Sequence, residues 1–92
     1  MYFVRICRVH RLEKNLYTAR QTALLRLLRT VREDADIRQK DVAKVLERPQ
    51  SFVSKYESGE RRLDVLELKD VCEAMGTTLT AFVQQLESKL RD

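Results

Sequence analysis

The sequence predicts an all-α protein built from about five helices. Three observations point there. Breakers are scarce, with two Gly and one Pro in 92 residues, which suits helices joined by short connections. Hydrophobic residues make up 43% of the chain and charged residues 35%, the balance of one globular domain with a single core. From Thr18 onward the apolar residues recur at helical spacing.

Residues 1–17, MYFVRICRVHRLEKNLY, stand apart as a basic arm. Phe3, Val4, Ile6, Cys7 and Val9 follow neither the helical nor the strand period, so a short strand, a frayed helix and disorder all remain open. The domain proper spans residues 18–92. Thr18 offers an N-cap to helix 1. Leu24, Leu27, Leu28 and Val31 then follow the i, i+3, i+4, i+7 rule, with Leu25 beside the stripe. Arg26, Arg29 and Arg32 occupy much of the other face and read as a solvated surface. Glu33, Asp34 and Asp36 oppose the dipole at the C-terminus, so helix 1 ends near Asp34.

Helix 2 is predicted from Arg38 to Leu46, with Val42, Ala43 and Leu46 inward and Ile37 packed at its start. The small Ala43 lets a neighbouring helix come close. Glu47-Arg48-Pro49 breaks the pattern, since proline cannot continue a helix but suits the first turn of a new one. Helix 3 follows from Pro49 or Gln50 to Tyr56, and Ser58-Gly59 signals its C-cap. After a loop over residues 59–63, Asp64 and Glu67 form a capping box for helix 4, which carries Leu68, Val71, Cys72 and Met75 and closes at Gly76. Thr78 caps helix 5. Leu79, Phe82 and Val83 there close the core, while Leu86 and Leu90 lie further out and are available to a second subunit, the arm being the other candidate for that interface.

Charge is spread unevenly over the net +4. Residues 1–32 hold eight Arg and Lys against the single acid Glu13, whereas residues 33–92 hold ten basic and thirteen acidic residues. A basic arm on a near-neutral body points either to a polyanion, nucleic acid being the commonest, or to a solubilising tail. Cys7 and Cys72 have no second Cys or His at zinc-ligand spacing, and His10 has no partner, so no metal is expected. Cys72 falls in the apolar phase of helix 4 and Cys7 reads as a free thiol, a usage that fits a reducing cytoplasm. Arg5, Arg8 and Arg11 interrupt any signal-peptide core, and no segment approaches the roughly 18 apolar residues of a membrane span. There is no Ser/His/Asp set, no phosphate-binding glycine loop and no metal cluster, so neither an enzyme nor a cofactor is expected.

Two short helices joined by a tight turn can hold one of them rigidly in the major groove of DNA. The helix that enters must be apolar inside, to fix its angle, and polar outside, to meet the bases. Helix 3 is both: Phe52, Val53 and Tyr56 face inward, and Gln50, Ser51, Ser54 and Lys55 face outward. Glutamine pairs with adenine N6 and N7, serine donates or accepts, and lysine reaches a guanine edge or a phosphate. Gln39, at the start of helix 2, stands where its amide and a helix N-terminus meet a phosphate oxygen.

Residues 20–90 resemble the lambda-repressor-like, or XRE-type, helix-turn-helix DNA-binding domain. The matching residues are Gln39, Ala43, Leu46, the run QSFVSKYESGERRLD from Gln50 to Asp64, and Gly76. The resemblance implies a compact five-helix bundle whose helix 3 reads bases from Gln50, Ser51, Ser54 and Lys55. It also implies backbone contacts from Gln39, Arg61 and Arg62, and a homodimer on inverted half-sites of double-stranded DNA. Arg61 and Arg62 have a second reading, in which they neutralise Glu57 and Glu60 across the loop. Three positions depart from the family pattern: Glu47 stands where the turn usually carries Gly, Arg38 where helix 2 usually has a Ser or Thr cap, and Pro49 where Ser is more common. Arg38 can offset its lost cap through a phosphate contact. The expected function is a sequence-specific transcriptional repressor, with no ligand-sensing domain accommodated in 92 residues. Alternatives are an antitoxin that also binds a toxin, and a protein-interaction module that has lost base reading.

Overall fold

The computed structural model describes residues 19–91. The arm over residues 1–17, with Cys7 and His10, and the Thr18 cap lie outside the described residues. Five helices follow one another among the described residues: α1 over residues 19–34, then α2 (Gln39–Leu46), α3 (Gln50–Ser58), α4 (Val65–Ala74) and α5 (Leu79–Arg91). The end of α1 falls where its acidic C-terminus places it.

Each boundary has a local cause. Arg38 sits extended at the N-cap of α2 with φ −86°, and its side chain has no acceptor to offer the helix. Asp41 supplies part of what is missing: its carboxylate accepts the Arg38 N–H at 3.2 Å. At the other end Glu47 takes the left-handed conformation, φ 58° and ψ 44°, and Arg48 N–H reaches back to the Ala43 carbonyl at 2.9 Å. This closes the helix as a glycine normally would. Pro49 caps α3 from outside the helix, where its missing N–H costs nothing, and its carbonyl accepts Phe52 N–H at 2.9 Å.

α3 runs two residues beyond the expected end at Tyr56 and stops at Gly59, φ 89°. The positive φ favours glycine there, and a Cβ would stand 3.1 Å from Leu25 Cδ1, close enough that the leucine would have to shift by a few tenths of an ångström. The Asp64–Glu67 box is present in both directions, with Glu67 N–H to Asp64 Oδ1 at 2.7 Å and Asp64 N–H to Glu67 Oε1 at 3.0 Å. Thr78 Oγ1 accepts Ala81 N–H at 3.0 Å and starts α5.

α2 packs on α3 and α4, and α4 on α5. Leu28, Val42, Val53, Tyr56, Val71, Cys72 and Phe82 are fully buried, each from a helix named above. Leu24, Leu25, Val31, Ile37, Leu46, Leu68, Leu79 and Leu86 pack around them. Burying a large apolar side chain contributes about 1.5–3 kcal/mol, so this core fixes the helices that carry the surface. Two expectations are corrected. Val83 is 36% exposed rather than closing the core, because Phe82 fills that place on α5 and Leu86 packs one turn on. Arg32 is not on the solvated face: it is 8% exposed, four residues after the buried Leu28 and therefore in the phase of the apolar stripe.

Candidate nucleic-acid interface

α3 presents two chemically distinct faces. Phe52, Val53 and Tyr56 are buried, and the Phe52 and Tyr56 rings meet edge to face at 5.6 Å. Gln50, Ser51, Ser54 and Lys55 are all exposed along the opposite edge. Packing on one side thus leaves a short polar ridge on the other.

The start of α2 lies beside that ridge. Gln50 Nε2 donates to Gln39 Oε1 at 3.5 Å, and Gln39 Nε2 donates to Glu57 Oε1 at 2.9 Å. Glu57, with its side chain 4% exposed, receives Arg32 Nε at 2.6 Å and Arg32 Nη2 at 3.1 Å. Arg32 spends a further N–H on the Ile37 carbonyl at 2.8 Å, just ahead of α2. The Glu57 bond, working against burial, raises the guanidinium above its ordinary pKa. Burial, followed by the nearby Glu57 charge, raises the Tyr56 phenol as well.

A second cluster fixes the loop after α3. Arg61 grips the Glu67 carboxylate through Nη1 at 3.0 Å and Nη2 at 2.8 Å, and also donates to the Arg62 carbonyl at 2.8 Å. Arg48 approaches the same carboxylate at 3.5 Å. Both guanidiniums lie over the Phe52 ring, at 4.4 Å for Arg48 and 4.7 Å for Arg61. The Arg61 guanidinium, together with the Asp64 N–H, holds the Glu67 carboxyl down to about 2. Arg61 therefore pairs with Glu67, and not with Glu57 or Glu60 as in its second reading; Glu57 is held by Arg32. Arg38 is exposed and engages Asp41 at 3.1 Å, and Arg62 is exposed at the end of the loop. Cys72 is fully buried and its thiol is pushed up to about 11 by that burial, so it stays uncharged.

Comparison with known proteins agrees with the helical fold. A family model described as a helix-turn-helix domain matches residues 23–82. Among solved structures the chain is similar to an XRE-family like protein from Pseudomonas syringae pv. tomato str. DC3000. That match has 50% identity, covers 83% of this chain and 93% of the other, and has a TM-score of 0.78. The chain belongs to the XRE-type helix-turn-helix family. No curated protein gives a match. An XRE-type domain is a DNA-binding regulator in general type, and this is the broad activity of the XRE protein described here.

Among the described residues, no group of three His, Cys, Asp or Glu is placed to hold a metal, and no helix is long and apolar enough to cross a membrane. Sequence reasoning brought Gln39 and Gln50 to the surface separately and missed the buried pair behind them, Arg32 and Glu57, of which Glu57 accepts from Gln39. A signal was available: Arg32 follows the buried Leu28 by four residues, and Glu57 follows the buried Val53 by four. Two opposite charges, each in the apolar phase of its helix, are candidates for one another.

Proposed function

We propose that this XRE protein is a sequence-specific transcriptional repressor that reads the major groove with α3. In this reading residues 18–92 are the DNA-binding unit and residues 1–17 a basic arm. Gln50, Ser51, Ser54 and Lys55 meet base edges, while Gln39, Arg38, Arg61 and Arg62 meet phosphates. The observation that carries it is the exposed polar ridge on a helix whose other face is wholly buried. A ridge so held keeps its angle when it enters a groove. Three of the five Arg61 N–H groups are taken by Glu67 and the Arg62 carbonyl, which leaves two to reach a phosphate from a fixed guanidinium.

The repressor acts as a homodimer in the cytoplasm, because one small module buries limited surface on DNA and a two-fold protein doubles it on a palindrome. Val83, Leu86 and Leu90 share one stripe of α5, with Val83 36% and Leu90 39% exposed, and this stripe is where the second copy seats. Occupying a promoter in this way excludes polymerase.

Selection from a randomised duplex library tests the reading. The native protein is expected to enrich an inverted repeat, and Gln50→Ala to lose preference at one base pair of each half-site, worth about 1–3 kcal/mol. Enrichment of nothing, with native and variant equally salt-sensitive, would leave only phosphate contacts and sink the proposal.

A further inference from the structure

We propose that the acidic groove between α2 and α4 is the docking site of the chain's own basic arm, residues 1–17. No residue of the polar ridge lines this groove, so its occupant does not depend on how α3 meets DNA.

The groove has a volume of about 310 Å³ and is lined by Val45 and Leu46 of α2 and by Asp70, Glu73 and Ala74 of α4. Val45 is 65% exposed there, and Leu66, one turn before Asp70 on α4, is 72% exposed. Apolar side chains rimmed by charge mark an interaction surface. The charge is of one sign, since both charged residues of the lining are acids. Asp70 makes no hydrogen bond or ion pair among the described residues, and Glu73 is met only by Lys69 of its own helix, at 2.5 Å.

The arm offers the complementary chemistry. It carries Arg5, Arg8, Arg11 and Lys14 against the single Glu13, with Phe3, Val4, Ile6 and Val9 among them. Its apolar side chains suit Val45, and its guanidinium groups suit the two carboxylates. The acid surplus of residues 33–92, thirteen acids against ten bases, thereby finds a counterpart. Glu57 and Glu67 are already held by arginines of the body, whereas Asp70 is not.

Reach permits the contact. The residues that precede α1 span roughly 60 Å when extended, more than twice the ~24 Å length of α1. A tethered segment also meets its site at an effective concentration in roughly the mM range, so a modest contact suffices. The larger groove, of about 570 Å³ between α1 and α5, fits this occupant less well. With the hollows that adjoin it, it presents Arg20, Arg26, Lys89 and Arg91 against only Asp34 and Glu87, a balance that repels a cationic arm. An arm seated between α2 and α4 spends its cations on the body and withholds them from phosphate.

Cys7 provides the test, because Cys72 is fully buried and its thiol is pushed up to about 11. A nitroxide attached to Cys7 of the full chain broadens the amide signals of residues near it. The amides of Val45, Leu46, Asp70 and Ala74 are expected to broaden, and those of Thr30, Gln85 and Ser88 between α1 and α5 to keep their intensity. Asp70→Lys combined with Glu73→Lys reverses the groove at two exposed positions and should abolish the broadening while the helical circular dichroism stays native. Adding Arg5→Glu and Arg8→Glu to that variant should restore it. Broadening between α1 and α5 instead, broadening nowhere, or broadening that survives the reversed groove overturns the proposal. So does a restored charge match that brings no broadening back. Mixing isotope-labelled chains that lack the nitroxide with unlabelled chains that carry it separates the last case: broadening of equal extent there would make the occupant the arm of a second copy, and the assignment to the chain's own arm would fail.

Discussion

Two glutamates tie this molecule's helices together at different depths, and the depth decides what each is worth. Glu57 is 4% exposed against an Arg32 side chain that is 9% exposed. Glu67 is 19% exposed, with Arg61 at 37% and Arg48 at 45%. Both carboxylates take an arginine through two nitrogens. Around Glu67 water can substitute for a lost partner. Around Glu57 it cannot, so a broken pair leaves an uncompensated charge in the core. The roles divide in the same way. The shallow site steadies the loop that presents Arg62, and the deep site joins α1, α2 and the start of the polar ridge on α3.

The largest effect should come from breaking the deep site. Glu57→Ala is expected to lose about 3–5 kcal/mol of stability, the usual result of leaving one buried charge without its partner. Urea unfolding followed by helical circular dichroism measures this. A loss below about 1 kcal/mol would mean that Arg32 finds water after all, and the contrast between the two sites would collapse.

Glu67→Ala comes next and should cost about 1–2 kcal/mol, combining half a capping box with a partly screened ion pair. The unfolding slope should stay native, because the core is untouched. If this loss equals that of Glu57→Ala, depth is not what separates the two sites.

Of the shallow site only the capping box could be read from the sequence, and of the deep site nothing, for a physical reason. Asp64 and Glu67 are three residues apart, and a capping box is a local rule, so α4 starts where the sequence places it. The faces of α3 follow just as directly from helical periodicity. Arg32 and Glu57 lie 25 positions apart, and only the packing of α1 against α3 brings them together. Seen alone, Arg32 completes a run with Arg26 and Arg29 that looks like solvated surface. Val83 failed in the opposite sense: the α5 stripe has more apolar positions than the core has room for, and Phe82 takes the space. Periodicity says which face of a helix is apolar but not how far along it the neighbours reach.

Acid sharpens the comparison further. The Glu67 carboxyl lies at about 2 against an ordinary value of 4.5. A group lowered in this way gives its full stabilisation above pH 4.5 and loses it as pH falls through about 2. The stability difference between the native protein and Glu67→Gln should therefore hold steady from neutrality down to about pH 4.5 and then shrink towards zero near pH 2. A difference unchanged through that window would show that Glu67 acts by packing and not by its charge.

The smallest effect belongs to the backbone of the turns that flank α3, at two positions of left-handed conformation. Gly59 and Glu47 both adopt positive φ, 89° and 58°. Only glycine does so freely, and a non-glycine residue there carries a strain of roughly 1 kcal/mol or slightly more. Glycine at position 47 would relieve that strain but also give the unfolded chain more freedom, which takes back about 0.4–1 kcal/mol. Glu47→Gly is therefore expected to stabilise by about 0.5 kcal/mol or less, with operator affinity unchanged because the exposed Glu47 side chain lies outside the polar ridge. A measurable loss instead would show that the Glu47 side chain stabilises the turn by more than its backbone strain costs. The α2–α3 corner would then depend on surface contacts as well as on the core behind it.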